Sequence, residues 1–169
     1  MRESRYPIEA FFKARFSPRT FDETALNEAE LMTILEAAST APSCYNEQPW
    51  RFVLAPKARF FEILAPGNLA WCEALETFVL LCAEPAFARN NKPNAWAEFD
   101  CGTAWGYMTV QAHAMGIHLH AMAGFDAAKA TELFNLGRLK PIAVVALGKK
   151  PQAQPFTPRK PLEALILRG

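Results

Sequence analysis

Several features are scarce in this chain of 169 residues, and each scarcity closes off a class of function. Glycine is one: there are 8, and no strand-like run leads into a glycine-rich turn, so a Rossmann-type dinucleotide site finds no support. The four cysteines, Cys44, Cys72, Cys82 and Cys101, include no Cys-x-x-Cys pair. In a chain this long and core-rich they read as reduced thiols rather than a disulfide framework, which points to the cytoplasm. An excess of one charge is lacking too, with 18 Lys and Arg against 17 Asp and Glu. Such a balance draws no nucleic acid, and no block of like charge forms an interaction tail. The longest apolar run, residues 78–83, falls far short of the about 20 residues that span a bilayer. The polar start from Met1 to Arg5 leads into nothing like a signal peptide, and no membrane is expected as a partner.

Hydrophobic residues make up 51% of the chain and charged residues 21%, as in ordinary globular proteins. The length suits one domain over residues 1–169 with a substantial core. Periodicity predicts a short helix over 7–14, with Pro7 at its opening turn. A clear helix over 27–39 follows, with Asn27 as N-cap and Glu30 three residues on. A loop over 40–49 leads into a strand over 50–54; residues 57–64 look helical and 66–68 look like a break. Residues 77–83 are a buried strand, and 95–115 a long helix apolar on nearly every face, which marks a core or subunit-interface helix. Strands over 118–122 and 142–147 bracket a helix over 127–134 capped by Asp126, and a proline-rich tail over 149–169 ends the chain. That tail has little core of its own and is expected to lie on another surface, such as a partner subunit. The order gives an α+β sandwich with a sheet of about four strands covered by helices.

Three segments carry more polar groups than their positions require. In the first, Arg15 and Arg19 flank Ser17, with Phe16 and Phe21 as apolar anchors. Arginine offers a planar fork of donors suited to phosphate, and serine a neutral donor. The same residues equally fit a solvated turn. In the second, prolines fix a loop from Ala41 to Trp50 that carries Ser43, Asn46 and Gln48. Their hydroxyl and amides both donate and accept, as the edge of a heteroaromatic ring requires, though an ordinary turn uses such residues too. The third, Arg159-Lys160 between Pro158 and Pro161, reads alone as surface.

Together these segments resemble the nitroreductase family of FMN-dependent oxidoreductases, over about residues 8–167. The family's Arg-x-Ser-x-(Arg/Lys)-x-Phe element stands here as Arg15, Ser17, Arg19 and Phe21. Its Ala-Pro-Ser-x-x-Asn-x-Gln-Pro-Trp element stands as residues 41–50 with every position present. Asn68, Asp100, Gly102, Gly116 and Gly124-Phe125-Asp126 follow in order, and Arg159 to Leu162 closes the match. The resemblance implies an α/β/α sandwich with a mostly antiparallel sheet of four or five strands, and an intertwined homodimer with two FMN sites at its interface. Arg15, Phe16, Ser17 and Arg19 would face the FMN phosphate and ribityl chain, with Arg159 or Lys160 adding charge. Pro42, Ser43, Cys44, Asn46 and Gln48 would approach the same flavin from the other subunit. Asn68 and the backbone of Ala121, Met122, Ala123 and Gly124 would lie against the ring.

The implied reaction passes a hydride from NADH or NADPH through flavin N5 to a small oxidised acceptor, such as a nitroaromatic or quinone, with no catalytic side chain. Phe16, Trp71 and Ala123 depart from the family pattern. Trp71 stands where some members have a lysine, and a cation there favours the anionic reduced flavin. Two other classes stay open. A protein that stores or senses FMN without turnover would carry the same binding residues. A metal-dependent enzyme would use His113, His118 and His120 with Cys101 or Asp100, at a spacing that matches no strong zinc signature.

Overall fold

The computed structural model describes residues 2–21 and 25–169; Met1, where the polar start was read, lies outside them. At its centre is a sheet of β1 (Trp50–Val53), β2 (Thr77–Ala83), β3 (Ile117–Met122) and β4 (Lys140–Lys149) in the order β1-β2-β4-β3. Every pairing is antiparallel. The α+β sandwich expected from the sequence is therefore present, with four strands.

Strand residues alternate between the two faces, so the central strands feed two cores. Val79, Leu81, Ala83, Val145, Leu147, Ile117 and Leu119 pack under α2 (Glu28–Ser39) and α5 (Ala97–Ala114). Phe78, Leu80, Cys82, Val144, Ala146 and Met122 face the other way, under α3 (Lys57–Phe61), α4 (Pro66–Cys72) and α6 (Ala127–Leu133). That two-sided burial is why β2 reads as continuously apolar rather than alternating. The remaining helix, α1 (Ala10–Ala14), precedes the sheet.

Local chemistry sets the element ends. Asn27 Oδ1 accepts from the Glu30 amide at 2.9 Å and Glu30 Oε2 from the Asn27 amide at 2.9 Å, a complete capping box for α2. Asp126 caps α6 by accepting from the Lys129 amide at 2.9 Å. Helix α5 stops where Gly116 takes φ +70°.

Four expectations need correction. Residues 66–68 are no break: Pro66 stands at the first position of α4, where its missing N–H and fixed φ cost nothing. Helix α3 ends at Phe61, because Leu64 pairs in a bridge with Phe125 and Ile63 O accepts from Asp126 N at 2.8 Å. Strand β4 begins at Lys140, with Pro141 lodged where the register to β2 shifts between Leu81 and Cys82, a position that tolerates a missing donor. Helix α1 also starts three residues later than expected, after Glu9 in an extended conformation.

Candidate functional site

Beside β3 the segment 15–21 is held by its aromatic residues. Phe16 packs on His118 (centroids 5.0 Å apart) and Phe156 (5.4 Å), so its ring is already engaged. Phe21 lies against Gly148, where a Cβ would fall 2.4 Å from Phe21 Cδ1 and 2.7 Å from Leu75 Cδ2. Only glycine in β4 leaves room for that docking. Between these anchors His120 Nδ1 donates to Pro18 O at 2.8 Å. Arg15 Nη1 reaches Ser17 Oγ at 3.4 Å. The C-terminal tail runs alongside, Gln154 Nε2 donating to Ser17 O at 3.4 Å and Gln152 N to Thr20 O at 3.3 Å.

The tail brings Arg159 and Lys160 to the same cavity as Arg15, a space of about 820 Å³ that residues 2–6 also line. Arg15 is half-buried; burial lowers its pKa, and the charges of Arg2 and Arg159 lower it further. Those three guanidiniums thus repel one another. Among the described residues none of them is paired with a carboxylate. The donors of this cavity are chemically matched to a phosphate monoester, an acceptor-only dianion. The sequence-predicted Arg15, Arg159 and Lys160 are brought together here, with Ser17 beside Arg15, along with Arg2, which the sequence reading missed.

A second part of the site continues along β3. Asn68 Nδ2 donates to Gly124 O at 2.8 Å, and Asn68 Oδ1 accepts from Trp71 Nε1 at 3.3 Å. A Cβ on Gly124 would sit 2.9 Å from Asn68 Nδ2, so the contact depends on glycine. One amide hydrogen of Asn68 remains for another acceptor. Trp71 stacks on Phe21 (6.2 Å, 22°) and against His120 (4.7 Å). Ala121 to Gly124 run out from β3, a strand paired on one side only, and Ala123 and Gly124 are exposed. Arg19 stands close enough that its charge opposes protonation of His120, whose pKa is lowered chiefly by burial while the Pro18 carbonyl works in the opposite direction.

The loop with Pro42, Ser43, Cys44, Asn46 and Gln48 lies elsewhere. Ser43 Oγ accepts from Gln48 N at 2.9 Å and Gln48 Nε2 donates to Asn46 O at 3.0 Å. Tyr45, Asn46 and Gln48 all take positive φ, 51° to 56°, which non-glycine residues seldom adopt. Buried Asp100 holds the loop by accepting from Cys44 N at 3.1 Å. Asp100 sits in the first turn of α5, whereas His113, beside His118 at 5.7 Å, sits in the last. With a rise of about 1.5 Å per residue, the two polar sets are about 20 Å apart along one helix. One chain therefore keeps its predicted site residues in two places.

The histidines do not converge on a metal. His118 packs on Phe16, His113 edge-on to His118, and His120 on Trp71. Among the described residues no group of three or more His, Cys, Asp or Glu is placed to hold an ion. Burial lowers the pKa of His113 and of His118, Arg15 adding to both. It pushes the Cys82 and Cys101 thiols up to about 12, leaving them protonated and unreactive.

A family model described as the nitroreductase family matches residues 12–71 and 65–149, which include every part of the site except the termini. The chain belongs to the nitroreductase family. Among solved structures it is similar to an oxidoreductase containing FMN, with 36% identity, a TM-score of 0.84 and coverage of 89% of this chain and 81% of that one. It is 27% identical to an NADH dehydrogenase of Thermus thermophilus over 90% of this chain and 91% of that protein. An uncharacterized 15.4 kDa protein of Mycolicibacterium smegmatis is 31% identical over 51% of this chain and 56% of its own length. The chain spans less than two thirds of the length of several other nitroreductase relatives. No helix among the described residues is long and apolar enough to cross a membrane.

Proposed function

We propose that this chain is an FMN-dependent oxidoreductase that takes electrons from NADH or NADPH and gives them to a small oxidised acceptor such as a nitroaromatic or quinone. The observation that carries the reading is the cluster of Arg15, Arg159 and Lys160, without carboxylate partners among the described residues and with Ser17 beside Arg15. The segment that carries Arg15 and Ser17 runs along β3, whose far end leads to the exposed Ala123 and Gly124. A phosphate at one end and a planar, hydrogen-bonding ring at the other match FMN. Arg15, Ser17, Arg159 and Lys160 would hold the phosphate. Arg19, Asn68 and the main chain from Ala121 to Gly124 would face the ring, with Phe16 offering its main chain. Bound FMN would supply the two-electron chemistry, accepting a hydride equivalent from a nicotinamide and passing it on. The similarity to an FMN-containing oxidoreductase and to a protein named as an NADH dehydrogenase supports the same assignment.

The site is complete only in a homodimer. Pro42, Ser43, Cys44, Asn46 and Gln48 are preorganised by Asp100 and by strained backbone, yet stand about a helix length from their own chain's cations. A two-fold partner would bring its loop to this chain's ring-facing strand and receive the reciprocal contact, giving two FMN sites per dimer. Residues 1–169 would act as a single domain in the cytoplasm, with the exposed outer side of the tail from about 149 laid on the partner while its inner side stays on this chain's residues 2–20.

The visible spectrum of the purified protein, before and after anaerobic addition of NADH or NADPH, tests this. Flavin absorbance that bleaches with a nucleotide and returns with a quinone or nitroaromatic is the expected result. A chain that neither carries nor takes up FMN refutes the assignment. Flavin that binds but is reduced by neither nucleotide would make the chain an FMN carrier instead.

A further inference from the structure

We propose that Arg2, on the strap formed by residues 2–6, is a third guanidinium of the phosphate site and closes that site against the C-terminal tail. This rests on the FMN reading above and adds a residue that the family motifs do not include. The strap is fixed at its first described residue. Arg2 N donates to Lys13 O at 3.0 Å, and Arg2 Nη1 donates to Arg15 O and, at 3.5 Å, to Phe12 O. These bonds occupy carbonyls at the end of α1 and pin the guanidinium over the segment that begins the phosphate motif. Its other side lies 5.0 Å from the centroid of Phe156, in the tail that carries Arg159. Three residues along, Arg5 and Glu163 form an exposed ion pair that ties the same strap to the same tail.

Arg2 is therefore in contact with both chain segments that supply the phosphate cations. Its Nε is buried and has no acceptor among the described residues. Its charge, with that of Arg159, bears on Arg15, and the one carboxylate in the cavity with a cation partner, Glu163, is taken by Arg5. Glu3 lines the cavity without forming an ion pair among the described residues. A purely structural arginine would be better placed beside a carboxylate than among like charges. Three convergent guanidiniums become favourable when a dianion sits among them, because each then makes a charge-assisted hydrogen bond in place of a repulsion. Phosphate binding would in turn hold the strap and tail together.

The test compares a flavin that carries the phosphate with one that does not. Dissociation constants for FMN and riboflavin are measured by flavin fluorescence quenching on wild-type, Arg2→Ala, Arg2→Lys and Arg15→Ala dimers. Arg2→Ala should weaken FMN at least tenfold and leave riboflavin within twofold, and its FMN affinity should depend less on salt, as one screened contact is gone. Arg2→Lys keeps the charge but not the fork and should fall between. Inorganic phosphate should raise the apo wild-type Tm more than that of either Arg2 variant, a readout that needs no turnover. If Arg2→Ala keeps the wild-type ratio of FMN to riboflavin affinity while Arg15→Ala collapses it, Arg2 only braces the strap and the inference fails alone. If the wild type binds neither flavin, the FMN reading fails and this inference with it. Because the ratio is taken within each variant, a general loosening of the fold that weakens both flavins equally also counts against Arg2.

Discussion

At the scale of single residues, the groups around β3 are tuned by burial more than by each other. His118 is half-buried, and desolvation leads the lowering of its pKa, with His113 and Arg15 adding to it. His113 follows the same order, burial first and then Arg15. Both rings therefore fold as neutral imidazoles, with values below the ordinary 6.5. The unfolded chain binds protons to these histidines at a higher pH than the folded one does. Their contribution to stability is thus fully present above about pH 6.5 and is lost as pH falls through that value toward the folded pKa. The apo protein should show a falling Tm between pH 7.5 and 5.5, and the pair His113→Gln, His118→Gln should reduce that slope, leaving the part that comes from buried His120. An unchanged slope in the double variant would mean that the loss arises elsewhere. Glu30 does not confound this window: hydrogen bonds from Lys149 and Asn27 lower its pKa further below an ordinary value of 4.5.

At the scale of elements, much was legible in the sequence because it rests on local chemistry. The Asn27–Glu30 capping box and the Asp126 cap follow from residue type and spacing alone, and both helices begin where those residues stand. Pro66 was misread because proline at a helix start and proline in a turn look alike until the following residues pack; Cys72 of α4 is buried in the core it shares with α3 and α6. Arg2 gave no signal, since nothing periodic links it to Arg15 and the cavity exists only once strap and tail meet. The chemistry of the 41–50 loop was legible through resemblance, while its three left-handed residues and the brace from Asp100 were not. Gly148, read as the point where the last strand ends, stands inside β4 instead and seats Phe21 of the 15–21 segment. Adding a methyl there forces Phe21 and Leu75 aside, an overpacking that costs about 1–3 kcal/mol. Gly148→Ala should lower the apo Tm by several degrees and weaken FMN, because Phe21 stacks on Trp71, which in turn bonds Asn68. Gly67→Ala is the control: nothing lies within 4 Å of its Cβ position, so Tm should hold or rise. Equal effects of the two substitutions in calorimetry and flavin titration would remove Gly148 from this role.

At the scale of the whole molecule, α5 explains why the sequence looked apolar on nearly every face. One stripe, Ala97, Cys101, Ala104, Met108 and Ala112, is buried in the core that α5 shares with α2. The opposite stripe carries Phe99, Tyr107 and Val110 with Gly102 and Gly106 among them, and it is exposed in the single chain at Phe99 (69%) and Tyr107 (43%). Glycine inside a helix costs about 1 kcal/mol relative to alanine. Nothing within 4 Å of either Cβ position repays that cost within one chain. A second copy crossing here would: small residues let two helices approach closely, and the exposed rings would be covered. The same crossing would carry the Asp100-anchored loop of one chain to the β3 edge of the other. Gly106→Leu therefore separates the two levels. It fills open space in one chain, so the monomer fold should keep its far-ultraviolet spectrum and gain helix propensity. In the dimer it should block close approach, and light scattering after size exclusion should report a monomer that has lost FMN at micromolar concentration. If Gly106→Leu stays dimeric and flavin-loaded, α5 is not the crossing point and the two halves of the site must meet by another surface.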